Sequence, residues 1–293
     1  MTTDAGVSTG RRIKTMELVV SDVIVETPDT VTLVYDGPYT FDYRAGQFLT
    51  IDPHQFKPLV RFIQLLEQLK KKKEPPRAYS MASAPHEKLA ITIKEENWTP
   101  GEQKYPTVLS PYLVYDVKPG SPMTVSGFTG PFTLPDDIAQ KTDHIVHLCA
   151  GSGSVPNYSI LKGALRDHPA LRQTFIYSNK TWDDIIFRDA LDQLAADNPG
   201  RVRVVHTLTR QKDFSTLPAG VLSGRLTTET LRELVPDHST AIFYACGPAL
   251  SPWDRLAAKE KGVEPSPRFM ESVHGMMRDL EVPKQRFKEE AFG

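Results

Sequence analysis

The chain is short of cysteine: its 293 residues hold only Cys149 and Cys246. Two thiols cannot make a disulfide framework, and by themselves they cannot supply the four thiolates of a plant-type iron–sulfur centre. Long apolar runs are also missing. None approaches the ~20 residues that span a bilayer, so no membrane contact is expected. Residues 1–12 are polar and lack the apolar stretch of a secretory signal; they read as a loose tail, and the chain as cytoplasmic. Nor is there an excess of one charge. A formal net charge of −1 provides no global field for nucleic acid. The histidines show no metal-ligand spacing, so no metal is expected, and no nucleophile–base pair forms a hydrolase signature.

What is present suffices for two domains of ordinary size, each with its own core. From residue 13 to about 135, apolar residues come in short β-rich runs broken by Gly, Pro and Asp. Leu18-Val19-Val20, Val23-Ile24-Val25, Val31-Thr32-Leu33-Val34-Tyr35, residues 47–51, residues 89–94 and Met123-Thr124-Val125-Ser126 are strand candidates, and Gly46 and Gly120 mark turns. Such spacing predicts a small antiparallel β-barrel or sandwich. One stretch departs from it. Phe62, Leu65, Leu66 and Leu69 fall at helical spacing, with Lys70, Lys71, Lys72 and Lys73 following and Pro75-Pro76 ending the helix. The lysines are either a solvated helix tip or a docking surface for an acidic partner.

After Pro135 the period changes. Ile145-Val146-His147-Leu148-Cys149 is nearly continuous apolar sequence, as in a parallel strand buried on both faces. A Gly-rich turn and a helix through Ile160, Leu161, Ala164 and Leu165 follow. Strands at 174–177, 202–208 and 241–246 then alternate with helices at 184–194, 227–234 and 268–280. This is the pattern of an open, doubly wound α/β sheet, with the boundary near 136–143.

Three stretches carry chemistry. In Arg77-Ala78-Tyr79-Ser80, alternation puts Arg77 and Tyr79 on one face of a strand, where a guanidinium could meet a phosphate and a ring a planar cofactor. In Gly151-Ser152-Gly153-Ser154-Val155-Pro156, backbone N–H groups and a helix start could receive a pyrophosphate, and Pro156 suits the first helical turn. In Tyr177-Ser178-Asn179-Lys180-Thr181, no carboxylate stands where a ribose 2′-hydroxyl would be held. Ser178, Lys180 and Arg210 could take a 2′-phosphate instead. Each stretch singly also fits a plain structural role.

Taken in order, these motifs resemble the ferredoxin–NADP reductase superfamily over residues 14–293. Val108-Leu109-Ser110-Pro111-Tyr112-Leu113, Gly127-Phe128-Thr129-Gly130-Pro131-Phe132 and Cys246-Gly247-Pro248 complete the set. The resemblance implies an antiparallel β-barrel flavin-binding domain at 13–137 with a helical insertion at about 56–74. A doubly wound α/β nucleotide-binding domain follows at 138–293, with a second insertion at about 250–270. It implies FAD at Arg77, Ala78, Tyr79, Ser80, Thr92, Ile93, Lys94 and Ser110, with Phe292 covering the ring. NADPH, or alternatively NADH, is implied at Gly151, Ser152, Gly153, Pro156, Ser178, Asn179, Lys180, Arg210, Cys246, Gly247 and Pro248. Ser80, Cys246 and Glu290 are the implied catalytic positions. Tyr105-Pro106-Thr107 stands where a glycine usually precedes the pyrophosphate-binding serine, which weakens the assignment of Ser110. The implied function is a flavoprotein oxidoreductase passing hydride from NAD(P)H to FAD and electrons to a separate ferredoxin, Rieske-type or oxygenase partner. The acceptor would dock near Lys70, Lys71, Lys72 and Lys73, and no iron–sulfur module follows Glu290-Ala291-Phe292-Gly293. A flavin or quinone reductase with a small acceptor and a non-catalytic interaction subunit are the alternatives.

Overall fold

The computed structural model describes residues 14–37, 41–98 and 105–292; the polar segment at 1–12 and Gly293 lie outside them. The N-terminal part runs β1 (Lys14–Thr27), β2 (Thr30–Asp36), β3 (Phe48–Ile51), α1 (Val60–Lys70), β4 (Arg77–Ser80), β5 (Ala90–Lys94), α2 (Leu109–Tyr115) and β6 (Pro122–Thr129). Its six strands form one antiparallel sheet in the order β4-β3-β6-β1-β2-β5. The sheet curls until its edges meet at a bridge between Met81 and Ile91, making a barrel. Alternation drives the curl: Leu18, Leu33, Leu49, Ile51, Ile91 and Val125 point inward and are at most 1% exposed. Burial of each such side chain contributes about 1.5–3 kcal/mol.

Strand runs read as two, at 18–20 and 23–25, are one strand. Polar Ser21 and Asp22 do not break β1, because a bulge between Val20 and Asp22 absorbs the extra residue against β2.

The second part runs α3 (Ile138–Lys141), β7 (His144–Ala150), α4 (Ser154–Asp167), β8 (Arg172–Asn179), α5 (Arg188–Asp197), β9 (Val202–Leu208), β10 (Leu222–Ser223), α6 (Thr228–Leu234), β11 (Ile242–Pro248), α7 (Pro252–Glu260), α8 (Phe269–Asp279) and β12 (Phe287–Phe292). These strands form a parallel sheet in the order β10-β9-β8-β7-β11-β12. All seven residues of β7 are buried, as its central place requires. Its two histidines are satisfied internally. His144 meets Asp237 at 2.9 Å and Thr174 at 2.8 Å, and His147 meets Asn157 at 2.9 Å and Gln173 at 3.0 Å. Burial pushes His147 down to about 4, so it stays neutral near pH 7. Among the described residues no helix is long and apolar enough to cross a membrane.

The two sheets are pinned together by polar contacts. Ser159 on α4 donates to the Ser83 carbonyl at 2.6 Å, Lys162 pairs with Glu87, and the Phe187 N–H donates to Glu26 at 3.2 Å. The last contact explains a shifted helix. Phe187 is held at φ 60, so α5 begins at Arg188, while Asp184 closes a separate turn capped by Thr181.

Candidate functional site

Strand order reverses between β7 and β11, and the crevice at the carboxyl ends of those strands is where open α/β sheets take ligands. Here a cavity of about 790 Å³ opens. The Gly151–Gly153 turn forms its floor. A Cβ at Gly153 would sit 2.0 Å from the Cys246 carbonyl oxygen, so only glycine lets the turn lie against β11. Two neighbours brace this turn. The Tyr177 hydroxyl contacts the Gly151 carbonyl and Ser154 Oγ, both at 2.9 Å, and Asn157 Nδ2 donates to the Gly153 carbonyl at 3.1 Å. Pro156 is buried in the first turn of α4.

Further along the crevice, Ser178 is buried and shares a 2.7 Å hydrogen bond with Thr207, and Asn179 is buried beside it. The Arg210 N–H donates to the Lys180 carbonyl at 2.8 Å, which sets the two exposed cationic side chains next to each other at the cavity wall. Four of the expected nucleotide positions, Ser178, Asn179, Lys180 and Arg210, thus line one space with Gly151, Ser152 and Pro248.

At the sheet's centre, Cys246 is fully buried and lies in register with Cys149 on one side and Glu290 on the other. Burial first, and then the Glu290 charge, push the Cys246 thiol well above its ordinary value, so it is a neutral thiol and no thiolate nucleophile. Glu290 Oε2 is buried with no hydrogen-bond partner among the described residues, and burial raises the carboxyl to about 7. Gly247 has Phe269 where a Cβ would stand, at 2.6 Å. Phe292 packs against the cluster around Cys246 and lines the cavity.

On the barrel side, β4 presents Arg77 and Ala78 to solvent, half-buries Tyr79 against the core and buries Ser80. The Arg77 side chain is 46% exposed, and its paired carboxylate, Glu74, is 3.9 Å away, which leaves the guanidinium able to receive a phosphate. Burial raises the Tyr79 phenol above its ordinary value, so the ring is neutral. On β5 the expected residues divide. Ile93 is in the barrel core, Thr92 is buried against Thr32 at 2.7 Å, and only Lys94 reaches the cavity, while paired with Asp29 at 2.6 Å. Ser110 is buried in the first turn of α2, where its hydroxyl accepts the Glu96 N–H at 3.0 Å. The residues present fit the two groups that the resemblance implies. The glycine turn and basic wall suit a dinucleotide, and the half-exposed Arg77 guanidinium with its adjacent ring suits a flavin nucleotide. Thr92 and Ile93 have no side chain available for either.

The α1 insert is the helix that its spacing predicts, and its apolar residues divide between two faces. Ile63 and Leu66 pack inward, whereas Phe62, Leu65 and Leu69 are 39%, 51% and 56% exposed. Lys70 is not free: it pairs with Glu74 and lies 5.3 Å over the Tyr105 ring. Sequence reading also missed the Tyr177 brace, the Glu87–Lys162 pin and the contribution of residues 250–268 to the cavity. Ser251, Pro252 and Asp254 form a readable helix-start signal that could have shown the last. Among the described residues no cluster of three or more His, Cys, Asp or Glu side chains could hold a metal.

Residues 148–250 match the model of the oxidoreductase NAD-binding domain family. The chain is 28% identical over 247 residues to NADH oxidoreductase HCR of Escherichia coli K12, covering 83% of this chain and 64% of that one. It is 27% identical over 298 residues to the ferredoxin reductase component of 3-ketosteroid-9-alpha-monooxygenase from Mycobacterium tuberculosis H37Rv, covering 94% and 65%. The chain thus spans less than two thirds of the length of these curated relatives. Among solved structures, it resembles the flavohem-like FAD/NAD binding domain of nitric oxide dioxygenase from Vibrio cholerae. The TM-score is 0.68 at 22% identity, with 94% of this chain and 98% of that chain covered.

Proposed function

We propose, for a chain that belongs to the ferredoxin–NADP reductase superfamily, an FAD-dependent NAD(P)H oxidoreductase that serves a separate electron-acceptor protein. Residues 13–137 hold FAD and residues 138–293 hold the coenzyme. One observation supports this most. A single cavity joins the Gly151–Gly153 turn and Pro248 of the α/β sheet to Phe292 and to Lys94 of the barrel, so a ligand on one half reaches the other. When bound, a nicotinamide would supply hydride chemistry and a flavin would link it to one-electron transfer. The chain's own part is alignment and exclusion of water. Arg77 would bind a flavin phosphate, Tyr79 would pack on the ring, and Phe292, which lines the cavity, would cover the bound groups. Cys246 and Ser80, both buried, are assigned to positioning the two groups, and Glu290 holds or releases a proton on its carboxylate near pH 7.

The coenzyme is NADPH, because Lys180 and Arg210 stand together at the cavity wall, while Asp184, which also lines it, is engaged by Thr181. The compartment is the cytoplasm. Purified protein is expected to be yellow and to bleach on anaerobic addition of NADPH, more efficiently than with NADH. Arg77→Ala is expected to weaken FAD retention by roughly 1.5–3 kcal/mol, the scale of a charge-assisted hydrogen bond. Protein that takes up no flavin, or a flavin that neither coenzyme reduces, would refute the proposal, and equal efficiency would remove only the preference for NADPH.

The acceptor is an iron–sulfur protein, a ferredoxin or a Rieske-type oxygenase component, with an acidic face. It docks along α1, where exposed Phe62, Leu65 and Leu69 adjoin Lys71, Lys72 and Lys73, an apolar centre with a basic rim. Replacing those three lysines by alanine is expected to lower the second-order rate with that acceptor roughly tenfold at low salt and to flatten its salt dependence, with reduction by NADPH unchanged. An unchanged acceptor rate would return the lysines to an ordinary solvated helix end.

A further inference from the structure

The far wall of the nucleotide cavity is built by residues 250–268, a segment that none of the nucleotide motifs includes. Asp254, Ala257, Ala258, Lys261, Val263 and Pro265 all line the cavity together with Ser178, Lys180 and Arg210. We propose that this segment is the second half of the coenzyme site, a fixed wall that grips the adenosine end of the dinucleotide and makes binding depend on that end. The inference rests on the dinucleotide reading above and adds the element that selects the ligand's remote half.

Three features make the segment a wall and not a loose loop. Its neck is stapled, because Glu271 accepts the Leu250 N–H through Oε1 at 3.0 Å and the Arg268 N–H through Oε2 at 3.1 Å. A second tie crosses the same neck, from Arg268 to Asp254 at 2.7 Å, and Asp254 also caps α7 through Ser251. The C-terminal end of that neck is also held from outside the segment, by Arg225 Nη1 donating to the Pro267 carbonyl at 3.3 Å. Pro265 and Pro267 restrict the backbone further, so little ordering entropy is left for a ligand to cost.

The surface it offers suits a nucleoside. Ala257, Ala258, Val263 and Pro265 are apolar, and Val263 is 58% exposed although it lines the cavity. A planar base laid on such a face would remove apolar area from water on both partners. Lys261 stands beside them with no ion-pair partner among the described residues, which suits the phosphates of the same ligand half. The pyrophosphate end is already provided for by the Gly151–Gly153 turn, so the wall lies where the adenosine must go.

The test uses the flavin-loaded protein and two ligands that separate the dinucleotide's halves. Affinity for 2′,5′-ADP, which has only the adenosine half, is measured by calorimetry in wild type and in Val263→Glu. Val263 is exposed, so this substitution does not disturb the core, and it puts a charged, hydrated carboxylate on the apolar face where the base would lie. About tenfold weaker binding is expected, with a similar loss for NADPH. Reduction of the flavin by reduced nicotinamide mononucleotide, which lacks adenosine, is expected to be unchanged. Trp253→Ala, in the same segment on α7 and 56% exposed but outside the cavity lining, is expected to match wild type. If wild type binds neither 2′,5′-ADP nor NADPH, the dinucleotide reading itself falls. If wild type binds and Val263→Glu binds equally well, only the wall falls. Equal losses with NADPH and the mononucleotide would also overturn it, since the segment would then act on the turn as a whole and not on the adenosine end.

Discussion

Gly153→Ala is expected to lower kcat/KM for flavin reduction by NADPH about a hundredfold, whereas Gly151→Ala, two residues away, is expected to change it less than tenfold. The contrast follows from what each new methyl group meets. At Gly153 it would lie 2.0 Å from the Cys246 carbonyl oxygen and 2.4 Å from its carbon, both backbone atoms of β11, and no rotamer can relieve that overlap. The turn must move by about an ångström, a displacement that costs near-attack geometry on the order of a hundredfold. Overpacking of this kind also destabilises by roughly 1–3 kcal/mol, so the urea midpoint should fall with the rate. At Gly151 nothing lies within 4 Å, and the cost is the left-handed backbone at φ 53, roughly 1–2 kcal/mol with no push on β11. Stopped flow and urea melts on both variants check this. A Gly153→Ala protein that binds and oxidises NADPH as wild type does would show that the turn is not the coenzyme floor.

The turn was legible in the sequence because its signals are local. A seven-residue buried strand reads as apolar sequence, and two glycines before a helix read as a tight turn. The barrel was legible for a similar reason, since its inward residues alternate with polar ones. What escaped reading depends on contacts made far along the chain. β12 is the sequence Phe-Lys-Glu-Glu-Ala-Phe, largely half-exposed at a sheet edge, so it lacks the apolar run by which β7 announces itself. Yet it is the strand that puts Glu290 beside Cys246. At α1 helical spacing fixes which residues share a face and leaves open which face meets the core. There the core is Val108, which takes Ile63 and Leu66 and leaves Phe62 and Leu65 outside. The serine motif at 108–113 similarly concealed that the Ser110 hydroxyl is committed to the Glu96 N–H.

Glu290→Gln is expected to remove a pH-dependent contribution of about 2–3 kcal/mol to the stability of the cofactor-free protein. In the folded chain burial raises this carboxyl from 4.5 to about 7, so between those values the folded state keeps a proton that the unfolded chain has released. The stabilisation is therefore complete below pH 4.5, declines as pH rises through about 7, and is gone above it. Glutamine has the shape of the protonated acid and no charge to bury, so the variant should lack this decline. Urea midpoints of wild type and variant at pH 5 and pH 8 isolate the effect, because every other titratable group is common to both proteins and cancels in the difference. The same carboxyl gives a kinetic signature. Cys246 beside it stays a thiol throughout, so a step near pH 7 in flavin reduction by NADPH that is absent from Glu290→Gln belongs to Glu290. Parallel stability curves for the two proteins from pH 5 to pH 8 would mean that water or the flavin pocket relieves the burial, and the assignment of Glu290 as a proton holder at neutral pH would fail with it.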